Sequence, residues 1–305
     1  MHTDFLDAFA KYQKLPSVRS LTSEHAERYA FQIDSRKRAE KALDLLTAEL
    51  DMPIGGSRVL DVGCAYGAFA IEFAKRGAKV VGLEVSRKWL QLAEANALGE
   101  PCQVRFMLAD ASARTTVAEL TPHAPFDLVL LNDVLEHIYD TVGLLDNLTK
   151  VLTPRGRIYF KVPNGLATRH VLREGHKRVF GVSLLPPDVW PLCGVKPGFS
   201  IYYRRWEYFT ALFEQFGLSL RRLTKVTDSD RDQTVRHIRQ DSRKIKTEVL
   251  ARNAGNFTST AHFRMVREAC ERYFSEVEVD IGALDHRALF EKYRVTFWEG
   301  ILTLR

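Results

Sequence analysis

The stretch Arg58-Val-Leu-Asp-Val-Gly63-Cys-Ala-Tyr-Gly67 decides how this chain folds. Its apolar, β-branched beginning predicts a short buried strand, and the pattern of residues 68–76 predicts a helix that Gly77 would end. Gly63 allows a sharp turn between the two, and Gly67 allows the backbone to approach a ligand closely. The N–H groups at the start of the helix would point toward that ligand. We therefore expect a ligand-binding surface at this turn.

The next strand narrows the class of ligand. Residues 79–84 form a second apolar run that ends in Glu84, 23 residues after Asp61. A carboxylate in this place can accept hydrogen bonds from both hydroxyls of a ribose. The turn reads Asp-x-Gly-x-x-x-Gly and lacks the Gly-x-Gly-x-x-Gly spacing of dinucleotide-binding proteins. The two features together favour a nucleoside without a pyrophosphate.

Strand and helix patterns then alternate along the chain. Further strands are predicted at residues 103–108, 126–132 and 156–162, then at 218–226 and 295–304. Alternation of this kind predicts a mainly parallel sheet that binds its ligand at the carboxyl ends of the strands. The polar residues at these ends should converge on one edge; they are Asp61, Glu84, Asp110 and Asn132.

In this order the elements resemble the class I S-adenosylmethionine-dependent methyltransferases. The resemblance implies an α/β fold with a seven-stranded, mostly parallel, doubly wound sheet whose last strand lies antiparallel between the fifth and sixth. It also implies S-adenosyl-L-methionine as cofactor. A doubly wound fold that binds another nucleotide is the alternative. The cofactor contacts that the resemblance implies are Asp61, Gly63, Cys64, Ala65, Gly67, Glu84, Val85, Asp110, Ala111 and Asn132.

The chain divides into four segments on this interpretation. Residues 1–50 form a helical N-terminal cap, where Tyr29, Phe31 or Arg36 either reach the cofactor or only pack. Residues 51–226 form the cofactor-binding core, including a lid segment at 163–205, rich in proline, glycine and aromatic residues. Residues 227–290 form a helical insertion that covers the active site or makes a homo-oligomer contact. Residues 291–305 supply the final strand of the core.

Methylation of an oxygen requires a group that removes its proton, or a metal ion. Asp133-Val-Leu-Glu136-His137 is similar to the acid-x-x-Glu-His element of metal-assisted O-methyltransferases of quinone biosynthesis and of small-RNA 2′-O-methyltransferases. If a helix starts at Asp133, the three polar side chains share one face. They then form a metal site, or His137 is a base or substrate contact with Glu136 beside it, or the residues only start the helix. His176 in the lid segment is a further catalytic candidate, against a merely solvated histidine.

The charge of the chain and its distribution limit the kinds of partner that we expect. The net charge is +6, and the excess lies in residues 169–205, with seven Lys/Arg and two acids, and in residues 221–252, with ten and five. Such stretches face an anionic substrate, a polyanion or only solvent. We expect a small-molecule or glycan acceptor that can be anionic; RNA methylation and a non-catalytic, cofactor-binding partner protein are the alternatives.

The same composition indicates where the protein works. The four cysteines form no Cys-x-x-Cys pair, which indicates neither a disulfide framework nor a zinc ribbon. No apolar run approaches the roughly 20 residues that a membrane span needs, and the start of the chain does not resemble a signal peptide. We therefore expect no membrane span and a cytoplasmic location.

Overall fold

The computed structural model describes residues 3–15, 29–30, 32–193, 195, 201–252, 255, 257 and 259–305. Phe31, which we considered as a cofactor contact, lies outside these residues, as do parts of the cap, the lid segment and the insertion. The strands are β1 (Arg58–Val62), β2 (Lys79–Glu84), β3 (Val104–Leu108), β4 (Phe126–Asn132), β5 (Leu152–Pro163), β6 (Leu218–Arg222) and β7 (Phe297–Leu304).

Helices fill the connections between the strands. They are α1 (Thr3–Gln13), α2 (Ser35–Leu50), α3 (Ala68–Lys75), α4 (Arg87–Ala97), α5 (Thr116–Leu120), α6 (Thr141–Val151), α7 (Thr168–Leu172), α8 (Trp206–Gln215), α9 (Arg231–Ala251), α10 (Thr260–Ala283) and α11 (His286–Tyr293), with 3-10 turns at Val182–Leu184 and Pro187–Cys193. In the part of the chain that the structure describes, no helix combines the length and the apolar character needed to cross a bilayer.

All seven strands join one sheet in the order β3-β2-β1-β4-β5-β7-β6. Strands β1 to β5 are parallel, and β7 runs antiparallel between β5 and β6, with Tyr159 opposite Ile301 and Leu220 opposite Leu302. This confirms the predicted fold class. The sixth strand is shorter than predicted, because β6 ends at Arg222 and not at 226.

Apolar side chains cover both faces of the sheet, as its buried strands require. Leu60 and Val129 face one layer, where Phe209 of α8 packs, while Val59 and Leu128 face the other. Neighbouring residues of one strand thus pack into the cores on opposite faces of the sheet, because side chains alternate across a strand. The carboxyl ends of β1, β2 and β4 are left to carry polar residues.

A second core lies outside the sheet and joins the lid segment to the insertion. Trp190 and Phe180 of the lid segment pack with Ile238 of α9 and Tyr273 of α10, all at most 4% exposed. The Asn164 side chain, fully buried where the lid segment begins, donates to carbonyl oxygens at the end of α11 and just after it. Sequence positions more than 60 residues apart therefore form one packed unit.

Candidate functional site

The turn after β1 has the left-handed backbone that its glycines suggested. Gly63, Ala65 and Gly67 have φ angles of 64°, 48° and 69°. A Cβ atom on Gly63 would lie 2.9 Å from Val134 Cγ2, and one on Gly67 would lie 2.8 Å from Phe106 Cζ. Crowding by protein side chains therefore already requires both glycines, and it places the turn against the segment that follows β4.

Glu84, at the end of β2, fixes this turn from one side. One carboxylate oxygen accepts the Ala65 N–H at 3.1 Å and the other accepts the Ser86 N–H at 2.8 Å. Burial raises the pKa of Glu84, although the backbone N–H donors oppose that shift. Each oxygen keeps a lone pair after these bonds, so the group fits the two hydroxyls of a ribose. The next side chain, Val85, is 65% exposed beside it.

Asp61, in β1, connects the turn to helix α3. Its Oδ2 accepts the Ala70 N–H of α3 at 3.1 Å, and the side chain is buried. Burial raises the pKa of Asp61 to about 7; the Ala70 bond opposes the shift and the charge of Glu84 adds to it. Burial likewise raises the pKa of the Cys64 thiol well above its usual value, so Cys64 suits packing and not nucleophilic chemistry.

Three more predicted cofactor residues lie after β3 and at the end of β4. Asp110 is exposed, and its Oδ1 accepts both the N–H and the hydroxyl of Ser112 at 2.9 and 2.7 Å. The carbonyl oxygen of the buried Ala111 accepts from the Asn147 side chain. Asn132 donates to Asp133 at 3.2 Å. Because β1 to β4 are neighbours in a parallel sheet, these ends share one edge with Glu84; their contacts with the cofactor stay a prediction.

The segment after β4 is a turn and not the start of a helix. Asp133 has a φ of 56°, and its N–H donates to the Lys161 carbonyl oxygen of β5. The following helix, α6, begins only at Thr141, where the Asp140 side chain accepts the Gly143 N–H. No helix starts at Asp133, so Asp133, Glu136 and His137 do not share one helical face.

The turn nevertheless brings the three predicted catalytic residues together. The Nε2 atoms of His137 and His176 each lie 3.9 Å from Glu136 Oε1. The two imidazole rings are 5.3 Å apart and perpendicular. One potential ligand atom from each residue lies within 4.8 Å of the others, in a set that could hold a metal ion and does not include Asp133.

Glu136 is in an unusual environment for a carboxylate. It is fully buried, and neither oxygen has a hydrogen-bond partner among the described residues. Burial, and then the charge of Asp133, raises the pKa of Glu136 well above its usual value, against a smaller opposing effect of Lys161. A buried carboxylate of this kind is stable with a proton or with a cation between it and the histidines.

Glu174 orients His176, and our sequence reasoning gave it no role. Glu174 Oε1 lies 2.9 Å from His176 Nδ1 and accepts the Tyr203 hydroxyl at 2.5 Å. Burial opposes ionisation, but these bonds and the His176 and Lys177 N–H groups outweigh it and lower the pKa of Glu174 to about 2. The carboxylate is thus charged at neutral pH, and it leaves His176 Nε2 facing Glu136. The contact could have been predicted from the Glu174-Gly-His176 sequence, which places a carboxylate two residues before the imidazole.

Arg204 braces the turn that carries Glu136 and His137. Its guanidinium donates to the carbonyl oxygens of Leu135 at 3.1 Å and of Ile138 and Tyr139, both at 2.8 Å. The N–H of Tyr202 also donates to the Glu136 carbonyl oxygen at 2.7 Å. The end of the lid segment therefore fixes the backbone of the cluster, a role that the sequence did not indicate.

The cap residues that we weighed as cofactor contacts take packing positions. Arg36 donates to Glu72 and Glu100 in a buried ion pair network. Tyr29 meets Phe9 of α1 edge to face at 5.6 Å. Phe9 and its neighbour Phe5 pack against α4 and against Tyr66 of the turn. The cap therefore packs against the predicted cofactor turn.

Comparisons with known proteins identify the family of the chain. A family model described as a methyltransferase domain matches residues 33–223. A ubiquinone biosynthesis O-methyltransferase of Vibrio cholerae is 33% identical over 109 residues, 36% of this chain and 43% of that protein. Its counterpart in Paracidovorax citrulli is 35% identical over 123 residues, 39% and 49% of the two chains. These alignments span less than half the length of the curated relatives.

The fold has a known counterpart as well. The YcgJ protein of Bacillus subtilis superimposes with a TM-score of 0.50 at 14% identity, covering 87% of this chain and 98% of that one. Such a likeness concerns the fold alone, whereas the family model covers more than half of the sequence. The chain therefore belongs to the methyltransferase-domain family, the class I enzymes that use S-adenosyl-L-methionine as cofactor.

Proposed function

We propose that the protein methylates an oxygen atom of a small-molecule acceptor, with His176 as the base. The observation that carries this proposal is the Glu174–His176 pair, in which Glu174 contacts His176 Nδ1 and the other ring nitrogen, Nε2, lies 3.9 Å from Glu136 Oε1. A charged carboxylate behind an imidazole fixes its tautomer and stabilises the cation that forms when it takes a proton. The O-methyltransferase relatives support the reaction type over their aligned segments.

The chain's own residues would position the reactants. S-adenosylmethionine, when bound, supplies a methyl group on a sulfonium. The Gly63–Gly67 turn and Glu84 would hold its nucleoside end, while the turn at 133–137 and His176 would hold the acceptor. His176 Nε2 would accept the proton that the acceptor hydroxyl loses when its oxygen is methylated. Alignment of the reacting atoms supplies most of the acceleration in such a displacement.

A cavity beside the cluster supports a small acceptor. It has a volume of about 310 Å³, within the roughly 300–1,000 Å³ usual for small-molecule sites. Its wall includes Tyr203, whose hydroxyl donates to Glu174, the carboxylate that contacts His176. Arg272 in the wall has no ion pair among the described residues, which suits an acceptor with a negative charge. The lining also includes Leu166, Leu184, Arg204 and Tyr273.

A metal-assisted variant of this reaction is the second candidate, favoured by the two unpartnered oxygens of the buried Glu136. Glu136, His137 and His176 offer one carboxylate and two imidazoles, a donor set that suits zinc and similar divalent ions. An ion there would lower the pKa of the acceptor hydroxyl directly. Metal content of the purified protein, compared with that of a His137→Ala variant, tests this independently of turnover.

Transfer of label from methyl-tritiated S-adenosylmethionine into fractionated host extract tests the proposed function. We expect label in nuclease-resistant small molecules, and loss of label with a chelator would favour the metal-assisted variant. Label that disappears after nuclease treatment would favour RNA, and cofactor binding without any label would favour a non-catalytic partner protein. Homo-oligomer formation through the insertion stays a prediction.

A further inference from the structure

We propose that the insertion carries a second binding site, separate from the methylation site, for the phosphate group of a small phosphorylated molecule. The site is a cavity of about 370 Å³ between α9 and α10. None of its lining residues belongs to the methylation site. The lining consists of Arg239, Ser242, Arg243 and Lys246 of α9 and Glu278 of α10.

The cations of this cavity lie on one face of α9. Arg239, Arg243 and Lys246 are spaced by four and three residues, which places them one turn apart along the helix. Like charges at this spacing destabilise a helix unless opposite charge lies nearby. A face of three cations is thus unfavourable in the empty protein and favourable once an anion is bound.

Few acids neutralise these cations. Arg239 lies 3.5 Å from Glu278, while Arg243 has no ion pair among the described residues, and the Lys246 amine lies over the Phe274 ring at 4.9 Å. The neighbouring Lys244, on another face of the helix, does pair with Asp241 at 2.8 Å. Positive charge therefore remains on the face that lines the cavity.

Ser242 supplies a second, independent indication of a ligand. The residue is 7% exposed and lines the cavity, yet its hydroxyl has no hydrogen-bond partner among the described residues. The Thr247 hydroxyl on the same helix donates to the Arg243 carbonyl oxygen at 3.0 Å, and the Thr234 hydroxyl donates to Asp228. A buried hydroxyl left without a partner is costly, and an oxyanion would accept its hydrogen.

The charges select the class of ligand. Three cations and one acid give the lining a net charge of 3 − 1 = +2, which matches the charge of about −1.5 to −2 on a phosphate monoester at neutral pH. Guanidinium groups bind such oxyanions through paired hydrogen bonds. A single phosphodiester group of a nucleic acid carries only one negative charge and would leave part of this positive charge unmatched. A phosphorylated small molecule therefore fits this cavity better than RNA does.

Isothermal titration of the full-length protein with ribose 5-phosphate and with inorganic phosphate, at about 0.15 M salt, tests the proposal. We expect saturable binding that Arg243→Gln and Ser242→Ala each weaken, the first by at least about tenfold because it removes a charged donor. Lys244→Gln, at an exposed residue on another face of α9 that does not line the cavity, is the matched control and should leave the Kd unchanged.

Three outcomes would overturn the proposal. They are absence of saturable binding, an equal loss of affinity in Lys244→Gln and Arg243→Gln, and tighter, Arg243-dependent binding of a single-stranded RNA oligonucleotide. The melting temperatures of the variants show whether each one is folded. Because Ser242→Ala removes only an unpartnered hydroxyl, that variant keeps the test usable if an arginine variant fails to fold.

Discussion

At the scale of single residues, the Glu174–His176 pair should decide the rate of methyl transfer. We expect His176→Ala to lower kcat by about 10²- to 10⁴-fold, the range typical of a lost general base. Cofactor affinity should change little, because the side chain faces Glu136 and not the Gly63–Gly67 turn. His123→Ala, at a partly exposed residue before β4, is the control. Equal activity of the two variants would exclude His176 as the base.

Asp61 should make the stability of the cofactor-free protein depend on pH. Because its pKa rises to about 7 on folding, the folded protein holds a proton that the unfolded chain has already lost above about pH 4. This contribution to stability is complete below the unfolded pKa and is lost as the pH rises to about 7. Ionised Asp61 thus lowers the free energy of unfolding at neutral pH.

Asp61→Asn keeps an acceptor for the Ala70 N–H and removes the destabilising buried charge. Relative to the unmodified protein, the variant should gain about 2–3 kcal/mol of unfolding free energy between pH 5 and pH 8. Urea denaturation at the two pH values measures the difference, in which the titrating groups that do not interact with Asp61 cancel. A difference that is independent of pH would mean that Asp61 is ionised throughout this range.

At the scale of elements, the turn at 133–139 depends on Arg204. Arg204→Met removes hydrogen bonds from a charged donor to three carbonyl oxygens, which should cost about 1.5–3 kcal/mol of stability if one of them dominates. Displacement of Glu136 and His137 by about 1 Å would lower kcat by up to about 10²-fold. Steady-state kinetics and thermal unfolding of the variant measure the two effects.

Arg221→Met is the matched control for that experiment. Arg221 pairs with Glu49 at the surface, where its side chain is 52% exposed, and such exposed pairs contribute about 0–1 kcal/mol. The control should therefore keep both its kcat and most of its stability. Arg204→Met with an unchanged kcat would show that the turn holds its shape through its own bonds and through Tyr202.

The elements that could be predicted from the sequence are those that local pattern determines. Strands β1, β2 and β4 follow short apolar runs and lie within one residue of their expected bounds. The turn at Asp133 could not be predicted, because its left-handed backbone depends on a hydrogen bond to β5. The function of Glu174 depends on Tyr203, 29 residues further along. Contacts between distant segments have no periodicity that a sequence pattern can reveal.

At the scale of the whole molecule, the protein has a sheet core, which holds the predicted cofactor site, and a second core that includes the lid segment with the proposed base. His176 belongs to the lid segment, which packs on α9 and α10, while Glu136 follows β4 of the sheet. The catalytic cluster thus exists only where the two cores meet. Damage to the second core should separate cofactor binding, which needs the sheet alone, from catalysis, which needs both.

Trp190→Ala tests this separation. Trp190 is 2% exposed in the second core, and its indole N–H donates to the Leu185 carbonyl oxygen. Its truncation should cost about 3–5 kcal/mol. In hydrogen exchange, α9 and α10 should lose protection while β1 to β4 keep theirs, and the Kd for S-adenosylmethionine should stay within about twofold, a change below about 0.5 kcal/mol.

Phe209→Ala in the sheet core is the contrasting variant. Phe209 is fully buried between α8 and the sheet, and its loss should cost a similar free energy. There, however, the sheet should lose protection and cofactor binding should weaken with it. If Trp190→Ala instead lowers protection uniformly and weakens cofactor binding as much as Phe209→Ala does, the two cores unfold as one cooperative unit. The lid segment would then be as stable as the sheet, and opening of the catalytic cluster would require unfolding of the whole protein.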